Sequence, residues 1–223
     1  MPHGSLSLPA RLCLLAWDTE STKVTGAARL PQLVRAGALT ELAQRGLLTD
    51  EDGIATPVDM DSATGDAALD GLLELIRESR PHRWRTWVTL HARVTLDAVR
   101  EQLTAQGYLR AVKKRVLGVF PSVEHVLEQP AAVDALRVEA RRVLEGPVPV
   151  AEVCDRDAAL VALAAAAELP ALVPAGDRER HAARVEALTE RAGAAAPALR
   201  KVVTEVHTAL TASLTAVAVA TGE

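Results

Sequence analysis

The sequence predicts a mainly helical protein, a helical bundle core surrounded by amphipathic helices, with one or two small β-hairpins. Three observations predict it. Hydrophobic residues make up 49% of the 223 positions but aromatics only 2%; Ala and Leu pack helix on helix, whereas a β-sandwich draws on aromatic and β-branched side chains. Apolar residues recur at the helical period in several stretches, most clearly at Leu30, Leu33, Val34, Ala38 and Leu42. Proline and glycine punctuate the ends of those stretches. The chain is long enough to bury a real core and has no long linker or low-complexity tract. One domain over 1–223 is expected, with residues 1–7 a flexible lead.

The elements follow in order. Ser7-Leu8-Pro9 reads as an N-cap with proline in the first turn, opening a short helix ARLCLLAW that is apolar nearly all round. Asp18 to Gly26 is a polar turn or short irregular hairpin. The central helix runs from Leu30 and is stopped by Gly46, where a left-handed C-terminal cap belongs; Gly37 and its small neighbours let another backbone approach. Leu47 to Met60 is loop with one or two short strands. Asp66 or Thr64 caps a helix with Leu69, Leu72, Leu73 and Ile76 as its buried stripe, ended by Ser79-Arg80-Pro81.

Trp84 and Trp87 suit a helical turn, and Thr95 caps a helix from Leu96 closed by Gly107. Tyr108 to Phe120 is a hairpin or extended arm. Pro130 opens a helix broken at Gly146-Pro147, and Pro147 to Val150 is loop or hairpin. Asp155 or Asp157 caps an Ala/Leu/Val helix to Leu169; Arg178 to Ala192 is amphipathic; Leu199 to Ala220 is the last helix. Within it Val206 to Ala220 has no acid, Lys or Arg, but it is shorter than the roughly 20 residues of a membrane span, and Thr and Ser interrupt it. A buried core helix is the reading.

Net charge is −4, which argues against bulk nucleic-acid binding, yet it averages two opposed blocks. Asp50 to Glu74 holds eight acids and no Lys or Arg; Arg77 to Arg115 holds ten Lys or Arg against three acids. Such asymmetry gives a charged side, of interest to an anionic partner, although two solvated faces explain it as well. The two cysteines, Cys13 and Cys154, lie in apolar contexts and are expected to be buried free thiols. With no charged n-region and apolar core at the start, a cytoplasmic setting is expected.

Motifs for catalysis are absent from the sequence. No His pair has the i, i+4 spacing of a helical metal site, and no nucleophile elbow or Walker loop occurs. Asp59-Met60-Asp61 has the form of a metal-holding D-x-D but is better read as a solvated acidic loop. The reading is therefore no enzyme, no metal and no cofactor. Arg35 stands out because it follows the buried Val34 directly. Its head is expected at the edge of the apolar face, either snorkelling or holding an anion. LTELAQRGLLTDEDG and VREQLTAQGYLRAVKKRV share a helix–glycine–apolar–turn rhythm common in winged-helix modules, with Lys113-Lys114-Arg115 as a phosphate-touching wing. The first copy has an acidic wing and no helix with several base-reading residues, so nucleic acid is the alternative partner. A pure protein-scaffolding domain is the other alternative.

Four pieces in order, LPARLCLLAWD, LVRAGALTELAQRGLL, SATGDAALDGLLELI and the C-terminal Ala/Val helix, resemble the Golgi phosphoprotein 3 (GPP34) family over Leu8 to about Ala220. The Ala/Arg/Leu-rich composition resembles a bacterial member. The resemblance implies a helical bundle with a protruding hairpin. It also implies a non-enzymatic peripheral membrane or adaptor protein that binds phosphatidylinositol 4-phosphate and membrane-protein cytoplasmic tails. It places the lipid phosphate on Arg35 and on the helix bearing Arg137, Arg141 and Arg142, and the membrane hairpin at Pro147 to Val153, with Val148, Val150 and Val153. A pocket aromatic of the family falls near Gly26 here. The ligand implied is thus an anionic or phosphorylated lipid headgroup, at the inner face of the membrane.

Overall fold

The computed structural model describes residues 6–116, 120–195 and 197–220. Its centre is α1 (Leu8–Leu15), all of whose residues are buried, against α2 (Leu30–Gln44), buried from Leu33 through Ala43. A Cβ at Gly37 would lie 2.5 Å from Leu12 Cδ1 and 3.3 Å from Pro9 Cα, so glycine sets how closely these helices approach. The third central helix is α7 (Asp155–Ala166), which packs on both. Around this core lie α3 (Ala67–Glu78), α4 (Trp84–Thr89), α5 (Ala92–Ala105), α6 (Pro130–Glu145), α8 (Arg178–Ala192) and α9 (Pro197–Ala220). The outer helices bury one stripe each, as spacing of three and four residues requires: Leu69, Leu72, Leu73 and Ile76 in α3; Val133, Leu136, Ala140 and Leu144 in α6. No helix among the described residues is long and apolar enough to cross a membrane.

Three antiparallel two-stranded hairpins decorate the bundle: β1 (Trp17–Asp18) with β2 (Lys23–Val24), β3 (Leu48–Glu51) with β4 (Ile54–Pro57), and β5 (Leu109–Val116) with β6 (Phe120–Leu127). The first is the short hairpin that the sequence offered beside a plain turn; two-residue strands leave no alternation to decide between them.

Two of the pieces that carry the resemblance, LVRAGALTELAQRGLL and SATGDAALDGLLELI, contain structural devices. Glu41, 4% exposed, accepts the Leu8 N–H at 2.5 Å and pairs with Arg45 one turn on at 2.5 Å, so it fastens the start of α1 to the end of α2. Gly46 then takes a φ of 71°, the predicted left-handed stop. In Thr64-Gly65-Asp66, Asp66 caps α3 through Ala68 N and Leu69 N, both at 3.1 Å. Asp70 accepts from Thr64 N at 2.6 Å, Thr64 Oγ1 at 2.7 Å and Gly65 N at 3.1 Å.

Several predicted details change. Ser7 makes no side-chain cap; its place is taken by Glu41. The helix assigned to Leu96 begins at Ala92; His91 stands at the N-cap position without a side-chain capping bond, and Thr95 is buried in the first turn. Asp155 and Asp157 lie inside the first turn of α7 and Cys154 precedes it. Cys154 is exposed, its Sγ donating to Asp157 Oδ2 at 3.1 Å, while Cys13 is buried and its thiol is pushed up to about 12 by burial. Of the flexible lead, 1–5 lie outside the described residues; Leu6 and Ser7 are buried, and Arg156 donates to the Leu6 carbonyl. Residues 150–152 form a 3₁₀ turn, not one arm of a hairpin.

Candidate anion-binding site

Gly37 faces α1, and Arg35 lies two residues back, about 200° round the helix, so its side chain turns away from α1. It reaches the junction of α4 and α5. Nη2 donates to the His91 carbonyl at 2.6 Å; Nε and Nη1 meet no acceptor among the described residues. The residue is 0% exposed. It therefore neither snorkels nor sits at the edge of the apolar face, which corrects the sequence reading. Burial alone pushes its guanidinium down to about 10, with no carboxylate opposing the fall. His91, the residue that receives it, holds a left-handed backbone with φ 52° at the start of α5.

The α6 arginines lie elsewhere. Arg137 donates to the Trp17 carbonyl, to Thr19 Oγ1 at 3.0 Å and to Asp134 at 3.4 Å, which ties α6 to the β1–β2 hairpin. Arg141 is exposed and donates to the Ala171 carbonyl at 3.1 Å. Arg142 is exposed and lines a cleft of about 200 Å³ between α1, α6 and α7, with Arg11, Glu139 and Asp157. Trp17 shares a cavity with Arg100 of α5, nine residues beyond His91 and so about 13 Å along the helix. Arg35 and Arg137 thus bond to different elements, the α4–α5 junction and the β1–β2 hairpin. Arg35 is enclosed, whereas Arg141 and Arg142 are exposed on α6.

Of the valines assigned to membrane contact, Val148 is 39% exposed, Val150 is half-buried and packs on the core, and Val153 is 6% exposed. On the proposed wing, Lys113 is exposed and Lys114 pairs with Glu124 across the hairpin; the Arg115 side chain lies outside the described residues. The D-x-D loop is a self-bonded turn: Asp59 accepts from Asp61 N at 3.0 Å and Ser62 Oγ, and Arg77 grips its carbonyls. Among the described residues no group of three His, Cys, Asp or Glu is placed to hold a metal.

Sequence reasoning missed Arg11, 9% exposed, which pairs with Asp157 at 2.7 Å beneath the α6–α7 cleft. The signal was available: one charge in an otherwise apolar helix, the same anomaly that marked Arg35. The contrast between the two is chemical. Arg11 has a carboxylate and Arg35 has none.

The described residues form a mainly helical bundle with amphipathic outer helices, three small hairpins and a buried arginine without a carboxylate partner. The Golgi phosphoprotein 3 (GPP34) family model matches residues 8–206, and the chain belongs to that family. A comparison with curated proteins finds no match.

Proposed function

We propose that the chain is a non-enzymatic peripheral membrane or adaptor protein that binds an anionic, phosphorylated lipid headgroup. The observation that supports this reading is Arg35: a fully buried cation with two donors unspent and no carboxylate partner. Removing a guanidinium from water costs several kcal/mol unless it is paired. Two oxygens of a tetrahedral phosphate can accept both N–H groups along one edge of a planar guanidinium, through charge-assisted bonds. Since Arg35 is enclosed, the phosphate is admitted when the α4–α5 junction at His91 moves aside.

Arg137, Arg141 and Arg142 enter this reading as a second, more exposed cationic set on α6, where a flanking headgroup or an acidic segment of a membrane-protein tail would meet Arg141 and Arg142. Val148 and Val150 offer little apolar area for insertion, at about 25 cal/mol per Å². Binding should be reversible and salt-sensitive, because stable anchoring needs two signals. The setting proposed is cytoplasmic, at the inner face of a membrane. The test is flotation with phosphatidylcholine vesicles, with and without phosphatidylinositol 4-phosphate. Wild type should float only with the phosphorylated lipid, and Arg35→Met should float markedly less. Equal flotation of both proteins would remove Arg35 from the mechanism.

A further inference from the structure

Between Glu78 and Asp97 the chain carries Arg80, Arg83, Arg85, Arg93, His82 and His91 and no acid at all. The fold turns these charges outward. α4 buries Trp84, Trp87 and Val88, which leaves Arg83, Arg85 and Thr89 exposed. The first turn of α5 buries Ala92 and exposes Arg93 and Val94, the latter 60% accessible; Arg80 is exposed just before α4. Several exposed cations elsewhere find carboxylates, as Arg110 does Glu128 and Lys201 does Asp50, both at 2.5 Å. The side chains of Arg80, Arg83, Arg85 and Arg93 have no such partner among the described residues. Their charge is uncompensated, and it covers the junction beneath which Arg35 ends.

We propose that this α4–α5 ridge is the electrostatic face by which the protein lies on an anionic bilayer, with His91 turned toward the headgroups. The ridge takes its membrane target from the headgroup reading above and adds the second signal that reading lacks. Three features favour a lipid surface over nucleic acid. The segment 79–96 has no Asn or Gln to read base edges. Its two tryptophans are 0% exposed, so no aromatic is offered for base stacking. Exposed Val94 among the arginines suits an interface that is charged above and apolar below. The Ile54–Arg83 bridge sets the exposed acids Glu51 and Asp52 of the β3–β4 tip on one flank, and that flank tilts away from the membrane.

A basic residue close to an anionic leaflet strengthens partitioning about fivefold at low salt. Four should contribute on the order of a hundredfold or more, lost at high salt. The experiment is vesicle sedimentation of the full chain, with phosphatidylcholine alone or mixed with phosphatidylserine. The variants are a quadruple Gln replacement of Arg80, Arg83, Arg85 and Arg93, and Arg110→Gln/Arg180→Gln as the control, two exposed arginines on β5 and α8 that already face carboxylates. All six positions are exposed, and thermal melting checks that each variant folds. Wild type should bind only the anionic vesicles and release at high salt. The quadruple variant should lose on the order of a hundredfold, and the control should keep its binding.

Equal partitioning of quadruple variant and wild type overturns the ridge, as does failure of wild type to bind anionic vesicles or its preference for duplex DNA over them. Binding of soluble inositol 1,4-bisphosphate separates the two proposals. If the quadruple variant still partitions while Arg35→Met loses the soluble headgroup, the ridge falls alone. If the quadruple variant releases vesicles while Arg35→Met keeps the soluble headgroup, the headgroup reading falls alone.

Discussion

Arg35 and His91, 56 residues apart, meet through one hydrogen bond, guanidinium Nη2 to backbone carbonyl at 2.6 Å, in a place no solvent reaches. A full positive charge is thereby held by a neutral acceptor alone. That arrangement costs stability, and it suits a site kept ready for an anion.

Replacing Arg35 by methionine should therefore stabilise the protein in phosphate-free buffer. Exchanging a buried charge for an apolar side chain of similar volume is neutral or stabilising by about 1–4 kcal/mol. Urea denaturation of wild type and Arg35→Met checks the sign. A loss of several kcal/mol would mean that the guanidinium is a structural bond rather than a reserved one.

Glu41 predicts the opposite outcome. It serves the Leu8 N–H and Arg45, and Arg156 approaches to 3.7 Å. Glu41→Ala leaves a backbone donor and two guanidinium groups short of a partner, at a cost of about 3–5 kcal/mol. Thermal unfolding should show a large fall in Tm with headgroup binding intact wherever the protein is folded.

Gly37→Ala should open the α1–α2 contact. The new methyl meets Leu12 Cδ1, which can swing away, and the Pro9 backbone at 3.3 Å, which cannot. A loss of about 1–3 kcal/mol is expected, the range for overpacking. An unchanged denaturation midpoint would show that the two helices slide apart freely.

Acid should destabilise the fold in two steps. Burial lowers the His207 pKa below its usual 6.5, so the folded state resists its protonation. The stability that neutral His207 preserves is complete above 6.5 and falls as pH drops from there through the lower folded value. Asp50 acts further down. Burial raises its pKa, but Lys201, Trp84 and Gly53 outweigh that and hold it below 3.8. Its contribution is complete above 3.8 and is lost as pH falls through the folded value. Denaturation midpoints across pH should show both steps, with His207→Gln shrinking the upper one, to which His125, also lowered by burial, contributes the rest.

Much of the bundle was legible because periodicity reports one buried face directly. The stripe of α3, the proline opening α6 and the limits of α8 all follow from it. The Asp66 cap and the Gly46 stop were legible because each has a local mechanism. What escaped is nonlocal. Ser7 has the residue type of a cap, but Glu41, 33 positions away, takes the bond. Cys154 sits in an apolar run, yet the turn before α7 leaves it exposed. The candidate site was half legible. A charge inside an apolar stripe marked Arg35, but spacing along one helix says nothing of which neighbour its head meets. Nor does it say that Arg137 donates to Trp17 and Thr19.

The most direct measurement is calorimetric titration of the protein with inositol 1,4-bisphosphate, on wild type and Arg35→Met, each confirmed folded. The account predicts heat and a saturable isotherm for wild type, weakened by salt, and none for the variant. Indistinguishable isotherms for the two proteins, or no binding to wild type, would contradict it.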